Sequence, residues 1–349
     1  MAARSRNRQR GVTLVEVMVA MVVGLILLAG ITTLVVGASR SNRDIDAAAR
    51  QLENGRYAAL TLADHLRHAG FWGNLYPDAA PAMPATPAAL PDPCPTTVDA
   101  TTLLDAMPLH IQGENNPGTP AAGCLGDADH VDNTDIVVVR RASTADAGLA
   151  LAGGTFYIQS AATAFALDSG ANTNTDPDAA PQDQAFGITL QDAAGNLVRA
   201  PVRAYRIEIF YISPSTVPSS PCDDNAGTGE DVPTLMRMRL DGGSFCAEPI
   251  AVGIEDLQIE YGIDNNGDGT PEGAYTDDPG TPAAWADVMG VRVYLLARST
   301  TDVGAQGGKT YRLGEDAPVL VNDPGDGFSR HVFTSTARLV NPSGRRETP

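Results

Sequence analysis

The residue groupings that most often carry chemistry are missing from this sequence. It has no Cys-x-x-Cys pair and no His-Glu-x-x-His, the spacings that hold zinc, and no Gly-x-Ser-x-Gly turn to present a nucleophilic serine. The five histidines (His65, His68, His110, His130 and His331) do not gather into a ligand set. His65 and His68 share a helical face but have no third partner nearby, which suits surface or interface histidines. Positive charge is short as well. The 24 Lys and Arg face 42 Asp and Glu, a net charge of −18, and such a surface repels phosphate backbones. Direct nucleic-acid binding is therefore not expected. Nor is an enzyme, because no nucleophile stands with a base. Gly304–Thr310 (GAQGGKT) looks like a phosphate loop, yet Val303 occupies the position six before Lys309 where that loop needs Gly.

What is present begins at the N-terminus. Arg4, Arg6, Arg8 and Arg10 precede Gly11, and an apolar run follows to Val36. From Val17 to Val36 there is no charge, close to the ~20 residues needed to cross ~30 Å of hydrocarbon. Arginines on one flank predict a cytoplasmic N-terminus. A cleavable secretory signal shares these features, but it ends in a small-residue site after its core, whereas this core runs on into a helical pattern. Glu16 interrupts the run, and an ionisable group in a span needs a partner. The order Gly11, Val12, Thr13, Leu14, Val15, Glu16 resembles the processing site of type IV prepilins and pseudopilins. That resemblance implies cleavage after Gly11 by prepilin peptidase and N-methylation of Val12. It further implies pairing of Glu16, at mature position five, with a neighbouring subunit's terminal amine. Val12 departs from the usual Phe.

Beyond Val36, Ile45, Ala48, Ala49, Leu52, Leu60, Ala63 and Leu66 recur at helical spacing, and Ala69-Gly70 supplies a stop. Gly24, Gly30 and Gly37 weaken the first half. The segment Gln51–Asn74 (QLENGRYAALTLADHLRHAGFWGN) resembles the PilW family of type IV pilus minor pilins. So do Val252–Gly269, Ala286–Ser299 and Arg330–Asn341. Asn74 stands where many members have Cys, so their disulfide pattern does not transfer.

Tyr76–Thr97 reads as loop. Strands are expected at Asp135–Arg141, Thr155–Gln159, Phe186–Leu190, Arg203–Ile212, Leu235–Leu240, Leu257–Tyr261, Val291–Ala297 and Val332–Val340, with no second long helix. The fold class is α+β, a long N-terminal helix, transmembrane then amphipathic, packed on a large antiparallel β-sheet head, which is pilin-like. The expected parts are a cleaved leader (1–11), a membrane half of the helix (12–36), an amphipathic half (37–70) and a β-rich head (71–349). All four cysteines follow the span, in an oxidising periplasm on this orientation. Of three possible pairings, Cys94–Cys124 and Cys222–Cys246 each bracket a Pro, Gly and Asp-rich loop that gains most from stapling.

No cofactor is expected unless the acidic loop Asp264–Glu272 (DNNGDGTPE) binds calcium. Asp264, Asn266 and Asp268 hold positions 1, 3 and 5 of a calcium-loop pattern, with Gly269 at the turn. Position 12 is Tyr275, so this is not an EF-hand; Glu272, Asp277 or Asp278 would complete the shell. The other reading is a polar turn between strands. The family resemblance implies an inner-membrane, single-pass minor pilin with its head in the periplasm and a place at the pilus tip after assembly. It would help prime, assemble or cap a type IV pilus, with indirect roles in adhesion, twitching motility or DNA uptake. Its partners would be other minor pilins, the major pilin, prepilin peptidase, the inner-membrane assembly machinery and a tip adhesin. The alternative is a minor pseudopilin of a type II secretion system; a membrane-anchored enzyme lacks a constellation to support it.

Overall fold

The computed structural model describes residues 11–75, 83–95, 97–148, 150–162, 164–172, 186–222, 229–304, 307–316 and 318–347. The arginine leader lies outside these residues, as do 76–82 and 96 of the Pro-rich tract and 305–306 of the Gly-rich run. Two compact units divide after Ala49, Met1–Ala49 and Arg50–Pro349. The division falls thirteen residues beyond the expected end of the membrane half.

A single helix, α1 (Leu14–Arg67), serves both units. Thr13 and Glu16 open it, Glu16 being the only acid in the first turn. Its glycines do not interrupt it. In the first unit the residues from 14 to 46 are all exposed, and those up to Val36 are apolar all round the helix. The helix stops at Arg67. Gly70 then takes φ +68°, where a Cβ would be strained, and its N–H bonds the Arg140 carbonyl at 2.9 Å.

In the second unit, α1 is followed by α2 (Ala100–Ala106), capped by the Asp99 carboxylate on the Thr102 N–H, and by β1 (Ile111–Glu114) and β2 (Ile136–Ala142). Next come β3 (Phe156–Ala161), β4 (Ala164–Ser169), and a small hairpin of β5 (Thr189–Gln191) and β6 (Leu197–Arg199). Then follow β7 (Val202–Ser213), β8 (Thr234–Asp241), β9 (Ser244–Val252) and β10 (Ile254–Ile263). The chain closes with α3 (Pro282–Ala286), β11 (Val288–Arg298), β12 (Thr310–Leu313), β13 (Val319–Asn322), β14 (Arg330–Arg338) and α4 (Val340–Glu347).

The largest sheet has seven strands, and β7 pairs with β2, β3 and β8 within it; β10, β11 and β14 form a second, three-stranded antiparallel sheet. Strand alternation sorts the large sheet between two cores. Val137, Val139, Phe210 and Ile212 face a core built with Val291, Val293 and Leu295 of the second sheet, and with Ala58, Ala59, Leu62, Ala63 and Leu66 of α1. Ile136, Val138, Ile207, Ile209 and Tyr211 face the other, under Leu103 and Met107. Burial on both faces explains why Asp135–Arg141 reads as a continuous apolar run. Leu62 and Leu66 are fully buried, each worth about 1.5–3 kcal/mol on transfer from water.

The expected helix face needs correction. Ile45, Ala48, Ala49, Leu52 and Leu60 are exposed, Ala63 and Leu66 of the expected face are buried, and Ala58, Ala59 and Leu62 complete the buried stripe. Apolar spacing alone cannot separate the two sides, because each holds leucines and alanines: Leu62, Leu66 and Ala58 are buried while Leu52, Leu60, Ala48 and Ala49 are exposed. Eight strands were expected. The strand at Phe186–Leu190 shrinks to β5, and β1, β4, β6, β9, β12 and β13 had no expectation. These six are short, exposed or interrupted by polar residues. The short helices α2, α3 and α4 were not expected either.

Candidate functional site

At the N-terminal end, Thr13 and Glu16 hold each other. The Thr13 N–H and Oγ1 approach Glu16 Oε2 at 3.3 and 3.4 Å, and the Glu16 N–H reaches Thr13 Oγ1 at 3.3 Å. This is a capping box, in which a threonine and a glutamate three residues on satisfy each other's free amides. The Thr-x-x-Glu spacing announces it in the sequence, and the sequence reading passed over it. The carboxylate thereby has local donors at a helix start, where the helix dipole also favours negative charge. Gly11 and Val12 are exposed, and a Cβ built at Gly11 meets no atom within 4 Å. A requirement for glycine there cannot come from this fold.

The second place lies within the Arg50–Pro349 unit, where Gln51–Asn74 meets the sheets. Gln51 Nε2 donates to the carbonyls of Ala297 (2.7 Å) and Ser329 (3.0 Å), while Ser329 Oγ donates to Gln51 Oε1 (2.8 Å). Asn54 Nδ2 donates to the Val252 carbonyl at 3.1 Å. Gly55 lies against the Phe333 ring so closely that an added Cβ would overlap it. One and two turns on, Ala58, Ala59 and Leu62 continue the stripe, and His65 ends it. Residues spaced three and four apart share one face of a helix, so Gln51, Asn54 and Gly55 form a polar and small lead into the buried stripe.

His65 Nδ1 lies 2.7 Å from Glu208 Oε2, and Arg237 Nη1 donates to His65 Nε2 at 3.1 Å. Since a guanidinium only donates, Nε2 accepts and Nδ1 carries the proton. Glu208 also takes two hydrogen bonds from Arg141, at 3.1 Å each. Burial opposes its charge, but the His65 and Arg141 bonds outweigh that and hold the carboxyl down at about 2. The partners are 143 residues apart, so no local pattern could reveal them.

The end of α1 is closed by α4. Asn341 Nδ2 donates to the Arg67 and Ala69 carbonyls at 3.3 and 3.2 Å, and Arg345 Nη1 to that of Gly70 at 2.8 Å. These are carbonyls that a helix end leaves without intrahelical donors.

The acidic loop lies beside this clasp. Asp264, Asp268 and Glu272 bring carboxylate oxygens within 4.8 Å of one another. Asp264 is already occupied: Oδ1 accepts from the Gly267 N–H (2.7 Å) and Oδ2 from the Gly269 N–H (2.9 Å) and from Arg346 Nη1 (2.8 Å). Burial works against its charge, and Arg346 with the loop amides keeps the carboxyl below its ordinary range. Asn266 Nδ2 donates to Asp268 Oδ2 at 3.2 Å, and the Asn265 N–H to Glu272 Oε2 at 2.7 Å. Asp277 accepts from Asn115 instead. The guanidinium of Arg346 is a cation supplied by the chain.

Disulfides join Cys94 to Cys124 and Cys222 to Cys246. In the Gly-rich run, Thr310 begins strand β12, where a phosphate loop would begin a helix.

Comparison with known families places both ends of the chain. The prokaryotic N-terminal methylation motif matches residues 6–32, which contain Gly11, Val12 and Glu16. The family Type IV Pilus-assembly protein W (PilW) matches residues 221–341. That match takes in β8 to β14 but not Gln51–Asn74. No curated protein sequence matches the chain. Among solved structures, a type IV-like pilin from Thermus thermophilus is similar at 15% identity with a TM-score of 0.20, covering 39% of this chain and 79% of its own. A score so low carries no argument; the α+β architecture rests on the helix and sheets described above.

Proposed function

We propose that this chain is a minor pilin of a type IV pilus, cut after Gly11, anchored in the inner membrane by residues 12–36, and carrying its head in the periplasm. The observation that carries the reading is the pairing of a prepilin methylation motif at residues 6–32 with a PilW match at 221–341. In this reading Glu16 leaves its capping partner Thr13 to pair with a neighbour's N-terminal amine, and that ion pair sets the register of subunits. The subunit primes, assembles or caps the pilus beside other minor pilins, the major pilin and a tip adhesin. Adhesion, twitching and DNA uptake follow indirectly. The experiment is Glu16→Ala in the native host: cleaved, membrane-inserted protein with loss from sheared pili supports the reading. Normal incorporation removes the pairing role. A type II pseudopilin is the second assignment; gene deletion that spares surface pili but stops secretion would favour it.

For the loop Asp264–Glu272 the proposal is a self-contained polar turn with Arg346 as its cation, and calcium binding is the alternative. On the turn reading, the full chain in detergent melts alike in millimolar calcium and in chelator. A rise in calcium that Asp268→Ala removes would establish the calcium site.

A further inference from the structure

A cleft in the head contains an arginine that no acid among the described residues neutralises. It has a volume of about 310 Å³ and opens between the start of β3 and the β8–β9 turn, lined in part by Ser143, Asp146, Thr155, Arg206, Arg239 and Asp241. Its rim is shaped by close backbone approach. Gly154 (φ +83°) backs onto Gly242, and a Cβ there would stand 2.8 Å from the Gly242 carbonyl oxygen.

The charges in the cleft are unevenly matched. Asp146 Oδ1 is engaged by the N–H groups of Gly148 and Val202, each at 3.0 Å. Asp241 pairs with Arg239 Nη2 at 3.2 Å, and Arg239 Nε lies 3.7 Å from Glu248 Oε1, so Arg239 is matched by two acids. Arg206 is half-buried on β7, and its cross-strand neighbour on β2 is Arg141. Arg141 is committed to Glu208. Among the described residues, the Arg206 guanidinium has no hydrogen bond or ion pair. Like charges opposite each other on a sheet destabilise it, so Arg206 stands where it weakens the strand pair.

We infer that the cleft binds a small carboxylate-bearing sugar, with Arg206 receiving the carboxylate. The planar fork of a guanidinium matches a carboxylate in two parallel bonds. The volume is at the lower end for small-molecule sites, enough for one sugar ring. Ser143 and Thr155 supply hydroxyls, and Asp241 supplies a carboxylate that can accept from sugar hydroxyls. The same acids disfavour a dianion such as phosphate. The inference does not depend on the pilus reading.

The test uses the full chain in detergent, with calorimetry and ligand-observed saturation-transfer NMR against galacturonate, galactose and inorganic phosphate. Galacturonate is expected to bind saturably in the millimolar range and galactose about tenfold more weakly, the loss typical of one charged hydrogen-bonded contact. Arg206→Gln removes the preference for the acid and leaves the melting temperature unchanged or higher; Arg206→Lys keeps part of the preference. Equal binding of the two sugars, binding of neither, or a preference for phosphate overturns the inference. So does a large fall in melting temperature for Arg206→Gln, because it would expose a structural role.

Discussion

The two stretches of α1 differ in what they ask of their surroundings. From 14 to 46 every residue is exposed, and up to Val36 large aliphatic side chains lie all round the helix. From 50 to 67 the large side chains Leu52, Tyr57 and Leu60 remain 49–57% exposed, while Gln51, Asn54, Gly55 and the alanines face the sheets. One stretch is specified by a solvent, the hydrocarbon of a bilayer, which rewards any apolar residue equally. The other is specified by shape and by hydrogen bonds to individual carbonyls. A helix that anchors tolerates exchange of one aliphatic residue for another. A helix that docks does not, because Leu62 and Leu66 are fully buried and Gly55 lies against the Phe333 ring.

Glu208 tests this contrast most severely. Glu208→Ala leaves Arg141 and Arg237 facing each other without their shared acid, and breaking a buried ion pair costs about 3–5 kcal/mol. Chemical denaturation of the head should show that loss, while helix insertion into membranes stays unchanged.

Acid titration probes the same contact. The Glu208 carboxyl is held at about 2 in the folded chain against 4.5 for the free group. Its contribution is therefore present above pH ~4.5 and lost as pH falls toward 2, on the order of 3 kcal/mol in all. Asp135 acts in the other sense. Burial raises it to about 7 from 3.8, so the folded state holds its proton longer than the unfolded one, and stability falls as pH rises from ~4 to ~7. Denaturation across that range should show decline on both sides of a mildly acidic maximum.

Gly55→Val should cost about 1–3 kcal/mol by driving side-chain atoms into the Phe333 ring. The same change at Gly24 or Gly30, where a Cβ meets nothing within 4 Å, should leave head stability untouched. Equal effects at the three glycines would erase the distinction between docking and anchoring stretches. At the small end, Leu60→Ala, at a side chain 57% exposed, should shift head stability by under about 0.5 kcal/mol.

Much of this molecule was legible before its structure. The apolar span and the long helix follow from charge and apolar length, and β2, β7, β8, β10, β11 and β14 from β-branched and aromatic runs. The cysteine pairs joined in the structure bracket the very loops whose closure entropy favours them. Other features depended on distant partners. His65 meets Glu208, Asp264 meets Arg346, and α4 closes the end of α1, each across tens to hundreds of residues that no period encodes. The expected helix face was half right for a similar reason: Ala63 and Leu66 are buried as expected, but Ile45, Leu52 and Leu60 share their apolar spacing and remain exposed.

The central claim is that residues 6–32 form a prepilin processing signal acting at Gly11. Intact mass spectrometry of the membrane protein, purified from its host with active prepilin peptidase, tests it most directly. The account predicts a mature chain beginning at Val12, heavier by one methyl group. A chain that still begins with the arginine leader, or one cut beyond Val36 as a secretory signal would be, would contradict it.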